Sequence, residues 1–337
     1  MSKCDLQILP DRADRTYKFG EPIAGTVRIA AHDDFPCRRL TLIREWKTEG
    51  RGNRAGGGEE GMILADNVEF HSGETREYPF RFVGLSGPAS YDGHYLKVVW
   101  HLRAQVDIPL AVDVKHEEKF LLVAGETSEE ILLGVETPAV KTPATTGELA
   151  ERLTMAKVLA LPCLVIGPAM MYLSGGYPVA LAFGLMVTGF GGWQIFIMLR
   201  NKLAQQKVGA VEVEIGRDKL RPGEPAECKV LLPAVHAERL QKITATLKGE
   251  ERVVSGLGNH KTTHTHTIQN LAVESGNQNG VSVANNKMEF RLPLQIPATA
   301  PSTFHAPDNA LHWAILVRVD IPDWPDWVRE FPITVMP

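Results

Sequence analysis

The sequence predicts a mainly β protein in which two antiparallel, immunoglobulin-like β-sandwiches are separated by an α-helical transmembrane hairpin. Three observations support this: an uncharged block at residues 158–199, a repeat that relates the two halves, and alternating apolar and polar residues within each half. The predicted division is a sandwich over residues 1–124, a flexible linker over 125–150, the hairpin over 151–205 and a second sandwich over 206–337.

The uncharged block is long enough for two membrane crossings. Its forty-two residues contain no Asp, Glu, Lys or Arg, and one helical crossing of about 30 Å of hydrocarbon needs about 20 apolar residues. Residues 174–178 read Ser-Gly-Gly-Tyr-Pro, a composition typical of a turn. We therefore predict transmembrane helices over residues 156–173 and 179–199.

Small residues recur every four positions along the second predicted span. They are Ala180, Gly184, Thr188 and Gly192. Such a stripe gives a smooth helix face that another helix can approach closely. We expect it to pack the hairpin against itself, and an interface between copies of the chain is the alternative.

The orientation of the hairpin follows from its flanking charges. Arg152 and Lys157 precede the first span, Arg200, Lys202 and Lys207 follow the second, and the turn between the spans carries no charge. Because basic flanks stay on the cytosolic side, both sandwiches and both termini are expected in the cytosol. The absence of an apolar signal segment near the first residue and the four scattered cysteines agree with a reduced compartment.

The overall charge argues against nucleic-acid binding. The chain has 36 basic and 40 acidic residues, a net charge of −4. No basic stripe lies outside the flanks of the hairpin, so the electrostatic footprint of a nucleic-acid partner is missing. We expect the membrane and other proteins as partners, and no nucleic acid.

The two halves repeat one pattern. Gly20 and Gly223 each open a Gly-Glu-Pro motif at an offset of 203, whereas Trp100 and Trp313 match at an offset of 213. The ten additional residues are expected within residues 260–286, where Asn, Thr, Gly and His predominate and a loop is predicted. A fixed spacing between matched motifs indicates duplication of one domain.

Apolar and polar residues alternate within segments of each half, as expected for strands with one buried face. Aromatic residues occupy every second position of residues 78–82, and Trp100, Leu102 and Ala104 share one strand face. No stretch of either half shows a sustained helical period. These patterns predict an antiparallel sandwich in each half, with Trp100 and Trp313 in the two cores.

A family resemblance rests on the order of these motifs. Residues 20–27, 78–82, 88–93 and 100–104 of the first half resemble an arrestin-type amino-terminal domain, and the second half resembles a divergent copy. Arrestins, the arrestin-like subunit of retromer and bacterial sporulation-control proteins share a two-lobed arrangement. The resemblance implies a non-catalytic adaptor that binds other proteins. In that family a short connection joins the lobes, and no receptor-, phosphate- or cargo-binding motif of the family is matched here.

His264 and His266 are the candidate metal ligands. On a strand they would project from one face, and an imidazole pair can hold a metal ion. Two ligands do not complete a site, and the segment contains no Cys or carboxylate to add to them. An exposed polar loop is the favoured interpretation, so we predict neither a metal nor a cofactor.

Trp324 and Trp327 have no counterpart tryptophans in the first half. They could form an exposed anchor for a partner or for the membrane interface, or they could seal the end of the second sandwich. Nucleophile, phosphate-loop and zinc-protease motifs are absent from the sequence.

The expected function is therefore that of a membrane-tethered, non-catalytic adaptor or scaffold that presents two cytosolic lobes for protein binding. The expected location is a cytosol-facing membrane, the cytoplasmic membrane of a bacterium. A structural subunit of a homo-oligomeric membrane assembly is the alternative, and an enzyme with an unrecognised site is the weakest one.

Overall fold

The computed structural model describes two β-sandwich lobes with two helices between them in sequence. The described residues are 3–125, 162–173, 175, 177–208, 211–233, 242–275, 281–284, 287–320 and 326–337. The mainly β class with two sheet-rich halves is confirmed. The predicted linker beyond residue 125 and the start of the first predicted span lie outside the described residues.

The first lobe contains two sheets. Its strands are β1 Cys4–Pro10, β2 Thr16–Lys18, β3 Ile23–Ala31, β4 Phe35–Gly50, β5 Gly56–Phe70, β6 Thr75–Phe82, β7 Tyr91–Asp92, β8 Leu96–Asp107 and β9 Val114–Val123. One sheet has the order β1-β3-β6, and the other has the order β2-β9-β8-β4-β5 with β7 paired to β8.

The second lobe follows the same plan. Its strands are β10 Glu212–Ile215, β11 Lys219–Leu220, β12 Pro225–Pro233, β13 Lys242–Ser255, β14 Thr262–Glu274, β15 Val281–Ala284, β16 Lys287–Gln295, β17 Phe304–Ala306, β18 Asn309–Asp320 and β19 Trp327–Val335. The sheet orders are β10-β12-β16-β15 and β11-β19-β18-β13-β14, with β17 paired to β18.

The two lobes share their topology and their internal hydrogen bonds. The short strands β2 and β11 both pair in parallel with the last strand of their lobe, β9 and β19. Trp100 donates its Nε1–H to the carbonyl of Pro88 over 2.8 Å, and Trp313 donates to Pro301 over 3.0 Å. Both indole rings are fully buried. The sequence repeat is thus a repeat of one sandwich, and both tryptophans lie in the cores as predicted.

The prediction of a loop over residues 260–286 is wrong for residues 262–274 and 281–284, which form strands. A short 3-10 turn at Gly258–His260 leads into β14, and β15 follows within the same stretch. The polar composition is compatible with a strand because β14 is an edge strand whose residues are largely exposed. In the first lobe only residues 71–74 separate β5 from β6, so the additional residues of the second lobe accommodate β15.

Two helices follow the first lobe, α1 Pro162–Leu173 and α2 Pro178–Val208. The break between them falls within the predicted turn, where Gly175 has a positive φ of 57°. Helix α2 continues past the predicted end at Leu199 because residues 200–208 are mostly good helix formers and include neither Gly nor Pro. The hairpin therefore extends beyond the predicted boundary at residue 205.

Of the described helices, α2 is long and apolar enough to cross a membrane. Its apolar part, Pro178–Phe196, has 19 residues and a mean hydropathy of 1.5, and only 11% of it is buried in the protein. Helix α1 is apolar but shorter.

Candidate functional site at the lobe junction and the helical hairpin

The junction between the lobes has an apolar centre. Leu96 and Val98 of β8 pack with Val253, Phe304 and Leu311 of the second lobe, and all five side chains are buried. Val98 and Leu311 occupy equivalent positions of the repeat, since they are 213 residues apart. Equivalent strands of the two lobes, β8 and β18, therefore both contribute to the junction. Burial of each such side chain is worth about 1.5–3 kcal/mol.

A buried carboxylate connects the lobes. Glu251 on β13 is only 1% exposed. Its carboxylate accepts the hydroxyl of Tyr91 over 2.7 Å and the amides of His94, Tyr95 and Leu96 over 2.8, 2.6 and 3.2 Å. Three successive backbone amides directed at one anion form a nest. Here the amides belong to the first lobe, and the anion is the carboxylate of Glu251 in the second lobe.

This environment keeps Glu251 ionised. Burial by itself would raise the pKa of this carboxyl group, but the hydrogen bonds from Tyr95, Tyr91, His94 and Leu96 outweigh it and lower the pKa below its ordinary value. Burial also raises the pKa of Tyr91, so its hydroxyl keeps the proton that it donates. The contact is a set of charge-assisted hydrogen bonds, which are stronger than neutral ones.

Side-chain amides form a second polar contact between the lobes. Asn53 donates through Nδ2 to the carbonyl of Gly256 over 2.9 Å and to Asp308 over 2.8 Å, and Asn309 donates to the carbonyl of Asn53 over 2.7 Å. A Cβ at Gly52 would lie 2.5 Å from Oδ1 of Asn309, so glycine is needed for this close approach. The apolar centre and both polar contacts hold the lobes in one relative orientation.

The structure places His264 and His266 on β14, where they face the junction, and not in a loop. The His266 ring stacks on that of His94 with centroids 4.4 Å apart, and Nε2 of His264 lies 3.0 Å from the hydroxyl of Ser255. The described part of the chain contains no group of three or more His, Cys, Asp or Glu side chains arranged to hold a metal ion. The pair's position fits ring packing between the lobes.

A charged network covers the outer face of the larger first-lobe sheet. His101 is 3% exposed, with Nδ1 at 2.9 Å from a carboxylate oxygen of Glu117, and burial lowers the pKa of its imidazole. Lys47 bonds Glu117 over 3.0 Å and lies 3.1 Å from Glu45. The network lines an open groove of about 710 Å³. Its acidic and basic side chains form ion pairs with each other.

Close contact between α1 and α2 involves part of the predicted small-residue stripe. A Cβ on Gly184 would lie 2.5 Å from Cγ of Met171 and 2.9 Å from the carbonyl oxygen of Gly167. Thr188 donates its hydroxyl to the carbonyl of Gly184 over 2.8 Å. The middle of the stripe therefore packs the hairpin against itself.

The ends of the stripe differ from its middle. Ala180 is half-buried, whereas Gly192 is exposed. Among the described residues, no atom outside its own helix lies within 4 Å of the Cβ position of Gly192. A packing role for Gly192 stays a prediction.

The hairpin leaves a large apolar surface exposed. Side chains at least half exposed include Phe183, Leu185, Met186 and Phe190 of α2. Aromatic side chains stand exposed at both ends of the hairpin, Tyr172 and Tyr177 beside the turn and Trp193 near the opposite end of the apolar segment. Contiguous apolar patches of this kind mark surfaces that contact lipid or another protein.

Of the two candidate anchor tryptophans, Trp327 is not an exposed anchor. It is 6% exposed and packs in the core of the second lobe, with the guanidinium of Arg329 5.4 Å from its ring centre. It seals the sandwich because β19 begins at this residue and directs its first side chain inward. Trp324 lies outside the described residues.

Glu251 is the residue that the sequence analysis missed. A signal was present, because Ala245, Leu247, Gly249 and Val253 alternate along β13 on the inward face and Glu251 falls on the same face. A charged residue at an inward position needs strong partners. Its partners come from a turn about 155 residues away in sequence, which the local pattern does not reveal.

These features define a two-lobed β-sandwich protein with an apolar helical hairpin between its lobes. No family model matches the chain. A stretch of 102 residues is 34% identical to human Arrestin domain-containing protein 1, and it covers 28% of this chain and 23% of that protein. The chain thus matches less than a quarter of its relative's length. The match supports an arrestin-like fold.

A solved structure is also similar. It is that of Spo0M, a sporulation control protein from Bacillus subtilis, with 10% sequence identity and a TM-score of 0.33 over 80% of this chain and 91% of that one.

Proposed function

We propose that this chain is a membrane-anchored, non-catalytic adaptor or scaffold that presents two joined lobes on the cytosolic side of a membrane. The observation that carries the proposal is the hairpin. Its helices pack on each other at Gly167 and Gly184, yet their outer apolar faces are uncovered. Burial of those faces in hydrocarbon would remove the exposed patch at no cost to the lobes.

The dimensions of α2 support a spanning arrangement. At about 1.5 Å per residue, the 19 residues of Pro178–Phe196 extend about 28 Å, close to the thickness of a hydrocarbon core. Trp193 and Tyr177 lie near opposite ends of this segment, at the depth where interfacial aromatic residues are enriched. The first crossing would need residues before Pro162 as well.

The junction supports a common compartment for the lobes. Glu251 of the second lobe bonds the amides of His94 and Tyr95 of the first, which supports placing both lobes on the same side of the membrane. With the basic residues that flank the hairpin, this side is the cytosolic one. Tethering raises the local concentration of the lobes near membrane partners. The arrestin-like fold supports protein binding as their role, and catalysis is not part of the proposal.

The topology can be tested with single cysteines. Burial raises the pKa of Cys4 and of Cys37 to about 11 and that of Cys228 to about 12, so these thiols should react poorly with maleimides. After Cys163→Ser, a new cysteine is placed at Tyr177 in the turn, or in a lobe.

The lobe positions are the exposed residues Asp33 and Asn259. In intact cells, an impermeant maleimide should label Tyr177→Cys, whereas Asp33→Cys and Asn259→Cys should react only after permeabilisation. Extraction of the chain by alkaline carbonate, or labelling of the two lobes from opposite sides, would overturn the proposed anchorage. The adaptor role predicts co-purification of specific proteins with the full chain, and loss of their membrane recruitment when residues 151–208 are deleted.

A homo-oligomeric membrane assembly is the second candidate function, and the open glycines of α2 favour it. Within the described structure, Gly189 and Gly192 offer a smooth, exposed helix face. Gly192→Leu would block a helix from another copy, whereas Gly184→Leu would disturb the hairpin itself. Loss of a higher native mass with Gly192→Leu supports an assembly, and a monomeric mass of the unmodified protein contradicts it.

A further inference from the structure

The smaller sheets of the two lobes end differently at equivalent edges. In the second lobe, β16 is covered by β15, which pairs with it from Val281 opposite Phe290 to Ala284 opposite Lys287. Among the strands that the structure describes, the corresponding sheet of the first lobe ends at β6, the counterpart of β16. Tyr78 pairs with Val27 as Phe290 pairs with Val230, which fixes the correspondence between the two edges.

Pro79 shows which backbone groups of β6 face the open edge. Proline has no N–H, so it fits a paired strand only where its nitrogen points away from the neighbour. Pro79 lies opposite Thr26 of β3, so its nitrogen points outward. Because the backbone N–H and C=O groups of successive residues point to opposite sides of a strand, those of Thr75 and Glu77 also point outward. Thr75 and Glu77 are equivalent to Lys287 and Glu289 of β16, which pair with β15.

We propose that the open edge of β6 binds an extended peptide strand of a partner protein, antiparallel and in the register that β15 adopts on β16. The inference rests on the proposed adaptor function and names its binding surface. Four backbone hydrogen bonds, from Thr75 and Glu77, would supply the main-chain recognition that strand addition uses.

The side chains around the edge define the peptide. Tyr78 and Arg76 point to the inner side of β6 and are half-buried, with the guanidinium of Arg76 4.8 Å from the ring centre of Phe70. In the backbone register of the second lobe, the residues paired with the equivalent positions Phe290 and Met288 are Val281 and Val283. The bound strand therefore carries branched apolar residues at its first and third positions. Its second and fourth positions face solvent beside Glu77 and Thr75 and are small or polar, as in Val-Ser-Val-Ala.

A second copy of β6 does not fit this edge well. In the register that avoids Pro79, Thr75 of one copy pairs with Glu77 of the other. The two Arg76 side chains then stand directly opposite each other, where like charges are destabilising. In the alternative register Pro79 removes one hydrogen bond. The occupant is therefore a different strand.

The test uses a synthetic peptide with the sequence of residues 280–286, Gly-Val-Ser-Val-Ala-Asn-Asn, and a photoreactive benzophenone at its amino end. The detergent-solubilised full chain is irradiated with the peptide, and labelled segments are mapped by mass spectrometry. Label is expected on residues 75–78. A variant with residues 281–284 replaced by Gly-Ser-Gly-Ser uncovers β16 and should be labelled there as well, which gives a reference intensity.

Two proline substitutions separate strand addition from side-chain contact. Glu77→Pro removes one outward N–H and should lower labelling about tenfold. Glu77→Ala is the control: it loses the ion pair with Arg28 but keeps the N–H, so labelling should change less than about twofold. Replacing the serine of the peptide by proline should lower labelling similarly without altering the protein. Absence of label on residues 75–78, or labelling insensitive to both prolines, overturns the proposal. Membrane anchorage and partner recruitment have separate readouts and would be unaffected by that result.

Discussion

The two lobes share one sandwich, but they differ where they meet. Both retain the same bond from a buried indole to a proline carbonyl. At the junction, Thr48 of the first lobe corresponds to Glu251 of the second. Thr48 pairs with Val98 on the neighbouring strand, and Glu251 pairs with Leu311, the residue equivalent to Val98. The hydroxyl of Thr48 bonds Ala55 of its own hairpin, whereas the carboxylate of Glu251 bonds the opposite lobe. The core hydrogen bonds are thus common to the two lobes, whereas the equivalent residues Thr48 and Glu251 have different partners at the junction.

The core tryptophans give the largest expected effect and test whether the cores are equivalent. Trp100→Ala and Trp313→Ala should each destabilise their lobe by about 3–5 kcal/mol, because each removes a fully buried ring and leaves a cavity. The loss of stability of each lobe is measured by unfolding in denaturant, with hydrogen exchange of that lobe as the readout. A loss in one lobe that is several times larger than that in the other would break the equivalence.

Substitution at the junction should expose the asymmetry. Glu251→Ala should cost about 2–4 kcal/mol, because four donors lose a buried acceptor. Thr48→Ala is the matched control and should cost about 1 kcal/mol, through the amide of Ala55. Equilibrium unfolding measures both values, and crosslinking between lobes should fall only for Glu251→Ala. Equal costs would show that the carboxylate does not hold the lobes together.

The protonation of Glu251 predicts a smaller, pH-dependent effect. The pKa of Glu251 is lower in the folded protein than its ordinary value of 4.5, which applies to the unfolded chain. The ionised carboxylate therefore stabilises the fold at pH values above 4.5, and this stability is lost as the pH falls through the pKa of the folded state. The unfolding free energy of the unmodified protein should therefore decrease more steeply below pH 4.5 than that of Glu251→Gln. Parallel pH profiles would contradict an ionised carboxylate at the junction.

The hydroxyls that close each sandwich should give the smallest and most nearly equal effects. Ser90 accepts the amide of Leu122 over 2.9 Å, and Thr303 accepts that of Val335 over 2.8 Å. Ser90→Ala and Thr303→Val should each cost about 0.5–1.5 kcal/mol in unfolding experiments. A large difference between them would mean that the repeat does not extend to these closing hydrogen bonds.

Much of the fold was predictable because its signals are local and occur twice. Alternation along β8 and β18 places Trp100 and Trp313 inward whatever surrounds them. Residues 260–286 were mispredicted because edge strands carry polar residues on both faces and therefore resemble loops. The site was less predictable. Gly184 and Thr188 were found by helical spacing, but Trp327 needed the structure to place it in a core.

The sequence by itself determined the class of the sandwiches, their duplication, the apolar hairpin and its break at a glycine-rich turn. These depend on periodicity and composition, which are properties of neighbouring residues. Only the tertiary structure decided that Glu251 enters a nest of amides from the other lobe and that His266 stacks on His94. It also decided that, among the described strands, none covers β6 as β15 covers β16. Such contacts join residues far apart in the chain, so they arise only when the whole fold brings those residues together.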